Sequence, residues 1–400
     1  MRTVKWNAFL SCLCGVAVVL GGMAVSARAD VTTEKGASIL IFPKVRADGT
    51  FDTVIQIANT SNSMVHARCF YVNASLLDAI SGLPCTIPSR TCVPQWQETD
   101  FDIWLTKQQP THWIVSEGRN FNPMAEFGSN DAGFVPGAVP PVSDFIGELK
   151  CIQVTESGEP ITSNSLKGEA TLVSVTTIRG PLGTFSSAET DFGDVAKYNA
   201  IGIIGNPNAP QPGNPLLLDG FLGDPNDQTT NYGACPSKLI VNHFATGAPD
   251  PVANEILQSV SSEFTDLTLV PCNEDFENQL PTSVKVQFVV FNEFEQRFSA
   301  STTVDCFLEV ELSRIDTQSG AVRSSVFGYE VLGSDVAQTV ITPVVQLDGS
   351  SGGLVGIAER ITTLEFNGAK RAARAAYNLH TEGSYIPPNG PDQIRMPAVN

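Results

Sequence analysis

One stretch, residues 85–115 (CTIPSRTCVPQWQETDFDIWLTKQQPTHWIV), gathers aromatic, acidic, thiol and imidazole side chains. It contains Trp96, Trp104, Trp113 and His112, the close pair Cys85 and Cys92, and the carboxylates Glu98, Asp100 and Asp102. Two carboxyl groups on opposite sides of a cleft can cleave a glycosidic bond, but they usually come from separate elements. Glu98, Asp100 and Asp102 stand at i, i+2 and i+4, which on a strand places all three on one face, about 7 Å apart. Such a row suits hydrogen bonding to sugar hydroxyls better than acid–base cleavage, with Trp96 and Trp104 as stacking rings. The plainer reading comes first: tryptophans filling gaps in a β core, beside solvated acids.

Other constellations are thinner. Gly349-Ser350-Ser351-Gly352-Gly353 satisfies G-x-S-x-G, with His380 downstream. A nucleophile elbow needs a parallel sheet with alternating helices around it, which this sequence does not predict. Asp219, Asp224 and Asp227 offer oxygens of the kind calcium takes, without EF-hand spacing. His66, His112, His243 and His380 are scattered, and no cysteines have zinc-site spacing. No cofactor or metal is expected. Lys370, Arg371 and Arg374 make a basic spot that reads as a solvated face.

Residues 1–29 have the layout of a secretory signal peptide. Arg2 and Lys5 precede an apolar run over 8–25, and Ala27-Arg28-Ala29 ends it, so cleavage is expected after Ala29. No later segment is apolar enough to span a membrane as a helix, and no membrane insertion is expected once the leader is removed. The chain carries a net charge of −18, which repels nucleic acid. Export permits disulfides. Beyond the leader stand Cys69, Cys85, Cys92, Cys151, Cys235, Cys272 and Cys306, an odd number that leaves one thiol over. Spacing favours Cys85 with Cys92 across a short loop. Cys272 with Cys306 is the second expected pair. Cys69 and Cys151 can pair if their strands are neighbours, and Cys235 is then the odd thiol.

The elements that must position these residues are strands. Segment 64–72 (MVHARCFYV) alternates Val65, Ala67, Cys69 and Tyr71 against His66, Arg68 and Phe70, and 99–105 alternates Phe101, Ile103 and Leu105 against Asp100, Asp102 and Trp104. Period two marks half-buried strands. Further strands are expected at 146–154, 168–178, 238–244, 284–291, 303–312, 326–332 and 339–347. Helices are expected over 253–264 and in the Ala-rich 364–379. The pattern QIAN…RCFYV returns as QFVVFN…DCFLEV and suggests two related β-domains.

The turn N-T-S-N at 59–62 followed by an alternating strand resembles the B–C corner of immunoglobulin-like modules, over about 40 residues. It implies no functional residue, because such sandwiches host many functions. The expected architecture is mostly β. An N-terminal antiparallel β-sandwich (30–180) and a C-terminal one (237–385) are joined by a long Gly/Pro/Asn-rich connection (181–236), with one short C-terminal helix and an extended tail (386–400). The functional expectation is an exported, secreted or periplasmic, non-enzymatic protein that binds or supports a protein or glycan of the cell surface. The alternative is a carbohydrate-binding protein using Trp96, Glu98, Asp100, Asp102 and Trp104. A serine hydrolase acting through Ser351 ranks third.

Overall fold

The computed structural model describes residues 31–83, 85, 92–119, 137–174, 195–209, 212–220, 230–317, 324–346, 351–366 and 369–398. The expected leader lies outside these residues. The chain is mostly β, 56% strand and 4% helix, in several antiparallel sheets. The five sheets of three or more strands take a propeller-like arrangement.

The central element is a six-stranded sheet. Its order is β1 (Val31–Thr32), β12 (Ile201–Ile203), β2 (Ile39–Ala47), β9 (Phe145–Val154), β4 (Val65–Asn73) and β7 (Gln97–Leu105). One face packs on a four-stranded sheet made by β11 (Val195–Asn199), β10 (Leu166–Ser174), β3 (Phe51–Asn59) and β8 (Pro110–Ile114), around Phe42, Ile55, Tyr71, Trp113 and Leu149. The other face is also covered. Ile39, Ile41, Phe70, Val72 and Ile152 meet Leu216, Leu218, Tyr232, Phe276 and Ile394 in a second core. This corrects the half-buried reading of 64–72: every residue of Val65–Val72 is buried, because a sheet covered on both faces has no wet side.

The covering layer comes from segments expected to be loose. β13 (Leu216–Leu218), within the expected connection, pairs with β24 (Asp392–Arg395) of the expected tail, which pairs with β16 (Glu274–Asp275). A third core lies between two further sheets. One has the order β18 (Arg297–Asp305), β17 (Ser283–Asn292), β20 (Val336–Pro343), β14 (Lys238–Phe244) and β23 (His380–Glu382). The other has the order β19 (Leu308–Glu311), β15 (Ser261–Pro271), β21 (Leu354–Phe366) and β22 (Ala369–Asn378). Val286, Phe288, Val290, Leu267 and Phe327 fill it.

The expected C-terminal helix is absent: 364–379 belongs to the β21–β22 hairpin, with Ile361 opposite Arg374 and Ala358 opposite Tyr377. Alanine favours helix only weakly, and pairing along ten residues with a packed sheet overrides it. The helix expected at 253–264 is one turn, α1 (Glu255–Gln258), capped by Asn254, whose side chain accepts the Leu257 N–H. The strand expected at 326–332 is instead a helical turn, α2 (Tyr329–Leu332), ended by Gly333 at φ 63. The strand expected at 303–312 is broken by Cys306 at φ 63, leaving β18 and β19 in different sheets.

Candidate functional site

The row on β7 is built as the alternation demands. Phe101, Ile103 and Leu105 are buried, and Asp100 and Asp102 are exposed on the opposite face. The neighbouring strand then decides what the row can do. β4 sets His66 opposite Trp104 and Arg68 opposite Asp102. The His66 ring stacks on Trp104 at 3.8 Å between centroids and 8° between planes. Its Nε2 lies 2.8 Å from Asp102 Oδ1, and its Nδ1 2.8 Å from Thr155 O. Arg68 reaches Asp100 at 3.6 Å and donates to Pro397 O at 2.9 Å. Glu98 is half-buried. Burial, with Asp100, Glu274 and Asp275 nearby and Arg68 opposing, pushes its carboxyl up to about 8.

The three tryptophans do not form one surface. Trp113 is core, its indole N–H donating to Tyr71 Oη at 2.6 Å. Trp96, at φ 51, packs against the second core. Only Trp104 borders the acids, and one of its faces is taken by His66.

The remaining sequence candidates are dispersed. Ser351 is described, but Gly349 and Ser350 are not. The Ser351 hydroxyl is buried without a partner, and His380, largely exposed on β23, faces Glu382 at 3.9 Å. Asp219 accepts the Asn231 N–H at 3.0 Å, while Asp224 and Asp227 lie outside the described residues. The one cluster of potential metal ligands among the described residues is Cys235, Cys272 and Asp392, and its two sulfurs are joined to each other. Disulfides link Cys85 to Cys92, Cys69 to Cys151 and Cys235 to Cys272. The expected Cys272–Cys306 bond is not formed. Cys306 is the free, buried thiol, because Cys272 is already bonded to Cys235.

A second site went unnoticed in the sequence. A groove of about 480 Å³ opens on the outer face of the five-stranded sheet, lined by Asn242, Phe244, Phe291, Glu293, Val336 and Gln338. Strand register builds it: Phe291 stands opposite Gln338, Gln338 opposite Asn242, and Val336 opposite Phe244. Gln338 Nε2 donates to Asn242 Oδ1 at 3.0 Å, which orients both amides. The Phe244 ring is backed by Arg360, whose guanidinium carbon lies 4.2 Å from the ring centroid. Glu263 holds that guanidinium with bonds of 2.7 and 2.8 Å.

Asn292 positions the Glu293 end. Its amide donates to Leu332 O (2.7 Å) and Gln296 Oε1 (2.8 Å), and its oxygen accepts the N–H groups of Phe294 and Gln296. All its bonding capacity is spent on the turn. Asn59 clamps the corresponding turn of the first half, donating to Ser63 O and Thr106 O, so the repeated Asn of the sequence has one role in both places. His243 borders the groove but turns its ring into the core. Its nitrogens are taken by Phe244 O (2.9 Å) and Thr339 Oγ1 (2.8 Å), and burial pushes its pKa down to about 4. The available signal was the alternation of KLIVNHF, which sends Asn242 and Phe244 outward when Val241 and His243 go in.

Comparison with known proteins adds little. No known family and no curated protein matches the chain. Among solved structures, the crystal structure of Thermotoga maritima 1070 aligns with 38% of this chain and 98% of its own, at 8% identity and a TM-score of 0.22. That score carries no argument about fold or function.

Proposed function

We propose that the protein is an exported, non-enzymatic binding module and that its ligand is a neutral glycan held in the groove on the five-stranded sheet. One observation carries the reading. Two half-exposed phenyl rings stand beside two oriented amides and one carboxylate, and the adjacent imidazole is held neutral and facing away. Aromatic faces take the C–H faces of sugar rings, while amides and carboxylates take the hydroxyls. A groove of this size is in the range of small-ligand sites. Three disulfides support an oxidising compartment, and no helix among the described residues is long and apolar enough to cross a membrane.

A first core drawn mainly from 30–180 and a third drawn wholly from 237–385 support the finer architectural reading of two β-sandwich bodies over those ranges, with the second core joining both halves. The immunoglobulin-like character rests on the turn at 59–62.

The test is a glycan array probed with the mature chain, followed by titration of the best hit. Phe244→Ala and Phe291→Ala should each weaken binding at least about tenfold. The rim on β7 is the second reading, favoured by the one free face of Trp104 beside exposed carboxylates. Binding lost in Trp104→Ala but kept in both phenylalanine variants would move the site there, and no binding at all would end the glycan reading.

A further inference from the structure

The free edge of the five-stranded sheet is built to pair with itself. β18 is nine residues long, RFSASTTVD, and among the described residues it pairs with β17 on one side only. Natural edges are blunted by proline, lysine, bulges or shortness, and other edges of this chain show such devices. β8 is five residues long and begins with Pro110. β22 is met by β11, where Asn378 exchanges bonds of 2.7 and 3.2 Å with the Asn199 backbone. β18 has no proline, no lysine and an unbroken register.

Which of its backbone groups are open follows from the ladder. Asn292 N–H donates to Gln296 O (3.2 Å) at one end, and Cys306 N–H to Thr282 O (2.7 Å) at the other. Bonded and unbonded positions alternate along an antiparallel pair, so even-numbered residues face β17. Arg297, Ser299, Ser301 and Thr303 therefore turn their N–H and C=O groups outward, Asp305 does so with its N–H while its C=O accepts the Phe307 N–H at 2.7 Å, and all five side chains are exposed.

We propose that two copies of this chain associate through β18, antiparallel about a two-fold axis at Ser301. In that register Ser301 faces the second copy's Ser301, and Ser299 faces its Thr303. These are the positions whose N–H and C=O point outward, so reciprocal hydrogen bonds form at each. The same register sets Arg297 opposite the second copy's Asp305 at both ends. Asp305 is already oriented by Ser283 Oγ at 2.7 Å. An isologous interface requires such self-complementarity, and opposite charges directly across a strand pair are favourable. On the core side, half-buried Phe298 meets the second copy's Val304. The product is one continuous sheet carrying both grooves, and the inference does not depend on what the grooves bind.

The experiment is sedimentation of the intact, disulfide-bonded mature chain over a concentration series at low salt. Ser301→Pro removes an N–H that β17 does not use, so the monomer keeps its ladder, which circular dichroism verifies. Wild type should show a concentration-dependent monomer–dimer equilibrium, and Ser301→Pro should raise the dissociation constant at least about tenfold. Arg297→Glu and Asp305→Arg should each weaken association, and the double variant should restore it. A wild type that stays monomeric throughout, a Ser301→Pro chain that dimerises as tightly, or a charge-swapped double variant no tighter than the singles would overturn the proposal.

Discussion

Glu148→Gln should change how stability depends on pH. Glu148, Lys150 and Glu274 form a buried cluster between the six-stranded sheet and the layer that covers its second face. Lys150 donates to Glu148 Oε1 at 3.0 Å, to Pro271 O at 3.2 Å and to Glu274. One cation faces two carboxyl groups, and Glu148 Oε2 has no partner. Burial, opposed by Lys150 and reinforced by Glu274, pushes the Glu148 carboxyl from 4.5 up to about 8. Below the ordinary carboxyl range Glu148 is protonated whether the chain is folded or not. As pH rises toward 8 the unfolded chain releases that proton and the folded chain keeps it, so stability falls with rising pH. Each pH unit is worth about 1.4 kcal/mol, a ceiling of about 5 kcal/mol over the window, and relaxation around a buried charge brings the expected loss to roughly 2–3 kcal/mol. Glutamine mimics the protonated acid at every pH. Guanidinium unfolding without reductant, at pH ~5 and ~8, should therefore show a smaller loss in Glu148→Gln than in wild type. Asp392, pushed up to about 7 by burial, slopes the same way in both proteins and cancels in the difference. Parallel losses in wild type and variant would refute the reasoning.

Two further outcomes follow from buried groups. Lys44 is 1% exposed and bonds Glu309 at 2.9 Å and Glu359. Lys44→Ala leaves the nearly buried Glu359 with the more distant Arg374, at 3.8 Å, in place of its bonded lysine and should cost about 3 kcal/mol in chemical unfolding. Cys306, whose thiol burial pushes up to about 12, should resist a thiol reagent in the native chain lacking residues 1–29. It should react as the single free thiol after unfolding without reductant, as colorimetric titration will show.

Much of the strand layout was legible because alternation is a local signal. Phe101, Ile103 and Leu105 on β7, and the cysteines on β4 and β9, read correctly: Cys69 stands directly opposite Cys151. What escaped depends on partners distant in sequence. Nothing local in HARCFYV says that Phe70 will stack on Phe276 at 4.2 Å, so a strand buried on both faces passed for one buried on a single face. The alanines of β22 carry no alternation, and helix was the local default. Cys235 and Cys272 meet because β15 ends beside residues that looked like connection. At the candidate groove, alternation along KLIVNHF is a local signal for an outward Phe244, but its adjacency to Phe291 needed the order β17-β20-β14, which no local pattern encodes.

Lys44 and Arg46 lie on the second strand of the chain, and both bond Glu309, with Lys44 also reaching Glu359. Arg68 bonds Pro397, across a sequence separation of 329 residues. Arg46 also pairs with the nearby Asp48, but during synthesis Lys44 emerges long before Glu309 and Glu359, the carboxylates that neutralise it. Contacts of this separation pay their loop-closure entropy before they return any stabilisation, and they slow folding. The N-terminal sheet seals its second face and completes the pairing of Lys44 and Lys150 only when strands from the second half of the chain arrive. Burial of these cations is thus ordered in time as well as in space.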